Sequence, residues 1–376
     1  MNINVNSPRD ILRLKGALQD KIFIGPKSIW IGITKRCNLA CKYCLIMPFS
    51  GIINKQRKAA KEDMDFGDFT RIVDDCHALR VEQITLSGGE PFMHPKISEI
   101  INYIKQKNIG LSINTNGNFD RRFIKDLGGV SNLNINLSVL NHRQYQRLYG
   151  ADKAAFNNVL ENIRSIARLK KSENKKPLIN VSFVINKYNF RDLDKMIPFA
   201  KKYGVDSIRF KMMRSNKNTK ELAIAAGELR ELKGIIKKVI KNGQYKIIKT
   251  NILEICQFLR EVNLKVNCKN TDFYGLYAVD FYFDRQINDD FKCYYGWFSS
   301  GIGISGHVSL CCIRKLTFIG NVYEKSFKEI WNSKDAHKVR LGMKNDLDMK
   351  KKSWQECTYC TNVQFNNDIG NLLCGN

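Results

Sequence analysis

The sequence predicts an α/β fold, a partial (β/α)6 barrel followed by a small cysteine-bearing C-terminal domain. Three observations carry that prediction. From Ser28 onward, short β-branched runs alternate with apolar residues at three- and four-residue spacing, the mark of parallel βα units. The alternation stops at Asn242-Gly243, a pair suited to ending a helix. Cysteines, sparse through the middle of the chain, then return from Cys293 to Cys374.

Residues 1–28 form an N-terminal segment, and the barrel is expected over 29–243. Its strands are expected at Ser28 to Thr34, Gln83 to Ser87, Leu111 to Thr115, Asn132 to Val139, Leu178 to Ile185, and Asp206 to Phe210. Helices fill the gaps. Phe66, Phe69, Ile72, Val73, Cys76 and Leu79 make one apolar face, which assigns Cys76 to the core; Ile97, Ile100, Ile101 and Ile104 make a second, and Phe156, Val159, Leu160, Ile163 and Ile166 a third. A helical pattern from Glu221 to Lys241 closes the sixth unit. Residues 244–290 read as an aromatic-rich bridge, with Phe273, Tyr274, Tyr277, Phe281, Tyr282 and Phe283 expected to pack on the barrel because large aromatics dominate buried area. Residues 291–376 form the C-terminal domain.

The 376 residues suffice for one large domain or two. No apolar run reaches membrane-spanning length and the N-terminus lacks the basic-then-apolar order of a secretory signal, so a cytoplasmic location without membrane partners is expected. The net charge is +26, but the lysines are spread over the whole length among many Asn and Ile residues. A nucleic-acid footprint should cluster on one element, so nucleic acid is not the expected partner. The twelve cysteines group at short range, which suits metal ligation in a reducing compartment better than disulfide cross-linking.

Chemistry enters at Thr34-Lys-Arg-Cys-Asn-Leu-Ala-Cys-Lys-Tyr-Cys44. Cys37, Cys41 and Cys44 stand on one short loop after the first strand, with aromatic Tyr43 just before the last. Four-iron clusters are usually held by four cysteines, so a trio leaves one iron open to a small molecule. Zinc is the competing reading, and it fits poorly, since zinc normally takes four ligands and no further Cys or His follows closely. The Cys-x3-Cys-x2-Cys spacing resembles the signature of radical S-adenosylmethionine (SAM) enzymes, and the resemblance implies a [4Fe–4S] cluster whose open iron chelates SAM.

The second strand ends in Leu86-Ser-Gly-Gly-Glu-Pro91, a glycine pair where α/β barrels build their sites. Gly88 and Gly89 permit close backbone approach, and Glu90 and Pro91 can hold the turn. Placed one βα unit after the cysteines, this resembles the Gly-Gly-Glu-Pro segment with which that family holds the amino group of SAM. Asn114 and Thr115 at the third strand's end, and Asn136 and Ser138 at the fourth's, are similar to the family's polar contacts to SAM; relatives commonly show Ser-Leu-Asp where this chain has Asn136-Leu-Ser138. The stretch Ile208-Arg-Phe-Lys-Met-Met213 on the sixth strand is similar to the corresponding strand in molybdopterin-biosynthesis-like members, and the resemblance implies that Arg209 lies near the cofactor. Turn capping is the competing role for these polar residues.

In the C-terminal domain, Cys293-x12-Gly306-x4-Cys311 followed by Cys357-x2-Cys360 resembles the auxiliary iron–sulfur module called SPASM, or twitch in its shorter form. Thr361 to Asn371 contains no cysteine, so one auxiliary [4Fe–4S] cluster is expected on Cys293, Cys311, Cys357 and Cys360; Cys312 or Cys374 can replace a ligand, and Cys268 is a weaker spare. Four-cysteine zinc remains the alternative.

The resemblance implies reductive cleavage of SAM to a 5′-deoxyadenosyl radical, which removes a carbon-bound hydrogen, with electrons from a flavodoxin- or ferredoxin-like donor. The auxiliary cluster would serve structurally or as an electron relay. Only about 28 residues precede the first strand, fewer than the ~40 below which independent folding is rare. A leader-binding domain is therefore not expected, and the favoured substrate is a small polar, sugar-like metabolite that is oxidised or epimerised. Maturation of a ribosomally made peptide is the first alternative, and a metal-stapled basic nucleic-acid-binding protein the second. No catalytic acid or base stands out: Asp280, Asp284 and Tyr277 have no distinguishing spacing.

Overall fold

The computed structural model describes residues 3–44, 62–172, 176–213, 219–253, 255–256, 259, 291–311, 318–345 and 363–374. Their strands are β1 (Ser28–Thr34), β2 (Gln83–Gly88), β3 (Gly110–Thr115), β4 (Asn132–Asn136), β5 (Leu178–Ile185), β6 (Ser207–Met212), β7 (Lys249–Thr250), β8 (Ser299–Ile302), β9 (His307–Ser309) and β10 (Phe318–Asn321). All join one sheet in the order β10-β9-β8-β1-β2-β3-β4-β5-β6-β7. Pairing from β8 through β1 to β7 is parallel, and β9 and β10 turn antiparallel.

The helices are α1 (Pro8–Gln19), α2 (Phe66–Ala78), α3 (Ile97–Gln106), α4 (His142–Tyr149), α5 (Lys153–Ser172), α6 (Leu193–Lys202), α7 (Ala226–Lys241), α8 (Tyr295–Phe298), α9 (Phe327–Trp331), α10 (Lys334–Asn345) and α11 (Val363–Cys374). Their starts are chemically marked. The Asp65 carboxylate accepts from the Gly67 and Asp68 amides ahead of α2, Asn141 accepts from Gln144 ahead of α4, and Ser326 with Glu329 closes a capping box on α9. The apolar faces of α2, α3 and α5, Cys76 included, are buried against Ile84, Leu86, Ile113, Leu133 and Ile135 of the sheet. No described helix is long and apolar enough to cross a membrane.

The structure departs from the predicted elements in three places. β4 stops at Asn136, because Ser138 leaves the ladder: its amide donates to the Tyr149 hydroxyl at 2.7 Å and its Oγ accepts from the Val184 amide at 2.8 Å. β6 starts at Ser207, since the Asp206 carboxylate takes the Ile179 amide at 2.8 Å and pairs with Lys170. α7 starts at Ala226 after a separate 3-10 turn over Lys220–Leu222. The region expected as a bridge begins with a 3-10 turn and contributes β7, while its aromatic run, with Tyr277, Asp280 and Asp284, lies outside the described residues.

Pairing of β8 with β1, from Ser28 opposite Ser299 to Ile31 opposite Ile302, continues the barrel sheet into the C-terminal region. On the same side, Trp297, Phe298, Phe365 and Ile369 form a small core with Ala17 of α1, and the Trp297 indole donates to the Lys21 carbonyl at 3.0 Å.

Candidate functional site

Cys37, Cys41 and Cys44 lie half-buried on the segment that leaves β1. Two elements fix that segment. The Ala40 and Lys42 amides, on either side of Cys41, donate to the Tyr149 and Leu148 carbonyls at 2.9 Å each, which lays the loop across the end of α4. Nearer β1, the Thr34 hydroxyl and the Arg36 guanidinium both hold Asp63, at 2.6 and 2.8 Å.

Burial raises the Cys37 and Cys41 thiols above their ordinary range, and the neighbouring cysteines and Glu90 raise them further. Three thiols on one loop, with those of Cys37 and Cys41 resistant to ionising alone, are a donor set that iron would satisfy, since a coordinating metal supplies the missing positive charge. Among the described residues no three His, Cys, Asp or Glu side chains converge on a metal-sized point.

The Gly88-Gly89-Glu90-Pro91 segment is zipped to the start of the cysteine loop. The Gly89 amide donates to the Thr34 carbonyl and the Glu90 amide to the Arg36 carbonyl, both at 2.7 Å. Side chains are excluded: a Cβ at Gly88, where φ is +134°, would lie 2.3 Å from the Thr34 oxygen, and one at Gly89 2.1 Å from the Arg36 oxygen. Glu90, 1% exposed, accepts from the Thr115 hydroxyl at 2.8 Å, the Asn116 amide at 2.7 Å and the Phe92 amide at 3.2 Å, tying the end of β2 to that of β3. Burial pushes its carboxyl up to about 7 against the pull of those three donors. Pro91 opens the 3-10 turn that Glu90 caps. A cleft of about 410 Å³ opens beside this brace, lined by Asn38, Glu90, Phe92, Asn118, Phe119 and Arg122 among others.

Tyr43 is buried, and its hydroxyl donates to Asn136 Oδ1 at 3.0 Å and lies 3.3 Å from Ser138 Oγ, which links the cysteine loop to the end of β4. Thr115 lies on the helix-packed face, its hydroxyl engaged by Glu90 and the Gly117 amide. Asn114 and Arg209 are exposed on the opposite, open face of the sheet.

That open face is polar from strand to strand. Asn114, Asn134, Asn180 and Ser207 share one register row, with hydrogen bonds of 2.9, 3.1 and 2.6 Å between successive members. Asn136, Ser182 and Arg209 share the next row toward the strands' carboxyl ends.

Of the cysteines expected as C-terminal ligands, Cys293 and Cys311 are half-buried before α8 and just after β9. Gly306, φ +83°, makes the turn between β8 and β9, where a Cβ would meet Asn321 Oδ1 at 2.1 Å. Cys268, Cys312, Cys357 and Cys360 lie outside the described residues, as does the Cys374 side chain.

Sequence reasoning missed Asn116, which donates to Asn38 Oδ1 at 2.8 Å and comes within 4.0 Å of Cys37 Sγ. It also missed Tyr149 and Tyr145, stacked at 4.6 Å behind the loop, with Tyr149 edge-on to Tyr43 at 5.8 Å. The signal for the last pair was their four-residue spacing on one helix face.

Comparison with known proteins bears on the same segments. Residues 31–200 match the radical SAM superfamily model, and residues 293–361 match SPASM, an iron–sulfur cluster-binding domain. The chain is 29% identical over 189 residues to the tungsten-containing aldehyde ferredoxin oxidoreductase cofactor-modifying protein of Pyrococcus furiosus, covering 48% of this chain and 50% of the relative. It is 29% identical over 189 residues to GTP 3',8-cyclase of Synechocystis, covering 49% and 53%. The chain thus spans about half the length of these two curated relatives. Fe-coproporphyrin III synthase of Methanosarcina barkeri is 25% identical over 357 residues, covering 89% and 80%. Among solved structures, Streptococcus suis SuiB bound to S-adenosylmethionine superposes with a TM-score of 0.61 at 14% identity, covering 88% of this chain and 72% of SuiB. Native anSMEcpe with bound AdoMet gives 0.55 at 14% identity, covering 92% and 100%. At such identities the likeness is one of fold.

Proposed function

Because the chain belongs to the radical SAM superfamily and carries a SPASM iron–sulfur domain behind its radical SAM domain, we propose that it is an enzyme that abstracts hydrogen from carbon of a polar substrate held on the open face of the sheet. The carrying observation is the zipper between Thr34–Arg36 and Gly89–Glu90, which locks the three-cysteine loop to the Gly-Gly-Glu-Pro turn at the carboxyl ends of adjacent strands. The cofactors of such a domain are a [4Fe–4S] cluster and SAM, which together supply a 5′-deoxyadenosyl radical when bound.

Cys37, Cys41 and Cys44 would hold that cluster. Glu90 acts one step back: by collecting donors from Phe92, Thr115 and Asn116 it fixes the backbone on which SAM's methionine portion would rest. The Asn136, Ser182 and Arg209 row, and the Asn and Ser row beneath it, offer donors and acceptors to cofactor and substrate. Cys293 and Cys311, with Cys357 and Cys360, would hold one auxiliary cluster.

Asn, Ser and Arg side chains on the open face favour a small polar metabolite, oxidised or epimerised. A peptide substrate is the second reading, favoured by the fold shared with SuiB, one of whose structures holds the precursor peptide SuiA. The length of chain before β1 does not decide between them.

Anaerobic reconstitution tests the proposal. About eight irons, as two four-iron clusters, and 5′-deoxyadenosine on reduction with SAM are expected; a protein in which Cys37, Cys41 and Cys44 are all replaced by Ala and which still forms deoxyadenosine would overturn it. Deuterated cell extract split into metabolite and peptide fractions separates the two substrates: whichever fraction transfers deuterium into deoxyadenosine contains the substrate.

A further inference from the structure

Tyr145 is fully buried, and its hydroxyl has no hydrogen-bond partner among the described residues. An unpaired buried hydroxyl is destabilising, and phenylalanine would fill the same space without it. Its surroundings name the missing acceptor. Tyr145 sits one turn before Tyr149 and stacks on it at 4.6 Å, and the Tyr149 and Leu148 carbonyls grip the amides on both sides of Cys41. The end of α4 is therefore pressed against the cysteine loop. A phenol is a hydrogen-bond donor, and the helix end that carries this one lies against the loop of Cys37, Cys41 and Cys44.

We propose that Tyr145 donates its hydrogen bond to sulfur of the cluster held by Cys37, Cys41 and Cys44, either the Cys41 thiolate or an inorganic sulfide, and thereby raises the reduction potential of that cluster. The inference rests on the function proposed above. A hydrogen bond to sulfur stabilises the more negative, reduced cluster, so it eases the one-electron reduction on which SAM cleavage depends. Neither the apolar core nor Tyr149 needs the hydroxyl: ring packing against Tyr149 and Phe156 survives its removal.

The test is Tyr145→Phe in the reconstituted full-length protein. Its midpoint potential is measured by EPR-monitored titration without SAM, beside its iron content and the thermal melt of the metal-free form. We expect unchanged iron, an equal or higher melting temperature for the metal-free variant, and a potential about 59 mV more negative, corresponding to a tenfold lower reduced-to-oxidised ratio at fixed poise. An unshifted potential with normal iron overturns the inference and leaves the parent function standing. Wild-type protein that binds no cluster overturns both. If the variant does not fold, 3-fluorotyrosine at position 145, a stronger donor of nearly the same shape, must move the potential positive; failure to do so overturns the inference equally.

Discussion

At the scale of single residues, the site depends on atoms that are missing. A Cβ at position 89 would lie 2.1 Å from the Arg36 carbonyl oxygen, a backbone atom that cannot rotate away. Gly89→Ala must therefore part the β2 turn from the cysteine loop. We expect a loss of about 1–3 kcal/mol in denaturant titration, and reconstituted iron that falls while far-ultraviolet dichroism stays native. Glu90 gives a pH signature. Burial raises its carboxyl from 4.5 to about 7, so its contribution to stability is complete below the ordinary value and is lost as pH rises through about 7. A rise from 4.5 to about 7 corresponds to on the order of 3 kcal/mol. Metal-free protein should lose stability across that window, and Glu90→Gln should flatten the loss; an equally steep slope in the variant would show that another group carries it.

At the scale of elements, α1 is bolted to the amino ends of β1 and β2 by charge. Asp10 and Arg13 are buried; Arg13 pairs with Asp10 at 2.9 Å and Glu82 at 2.5 Å, and Lys27 pairs with Asp10 at 2.5 Å. Burial works to raise the Asp10 carboxyl, but the Asn4 amide, Lys27 and Arg13 outweigh it and hold the carboxyl below its usual 3.8. A lowered carboxyl contributes stability above its ordinary value and loses it as pH falls through the lower one. Asp10→Ala leaves the buried Arg13 with Glu82 and the Gly25 and Pro26 carbonyls, and should cost about 1–3 kcal/mol at neutral pH. In acid titration the variant's stability curve should approach that of the wild type, because the carboxylate that distinguishes them is then protonated. A constant gap down the acid limb would refute this.

At the scale of the whole molecule, the C-terminal region completes the sheet. β8 covers the edge of β1, the strand from which the cysteine loop departs. A chain ending at residue 290 would expose that edge as a template for pairing with other chains. It should elute as aggregates in size-exclusion chromatography, whereas the full chain does not, and a well-behaved monomer that reconstitutes one cluster would show β8 to be dispensable to the barrel.

The local terms were legible in the sequence. Six parallel strands, the helices between them and the buried face that takes in Cys76 follow from periodicity and from turn residues within a few positions of each other. The spacing of Cys37, Cys41 and Cys44 pointed to a family through its resemblance to a known signature, and the match of residues 31–200 to the radical SAM superfamily model bears out that resemblance. Tertiary structure alone decided what those residues lean on: Glu90 bridging β2 to β3, Thr115 facing the helices while Asn114 faces the open side, Tyr145 and Tyr149 behind the loop, and β8 beside β1. Each of these joins residues that no helix or strand period relates, and burial and pairing of such groups are settled only when the chain closes on itself.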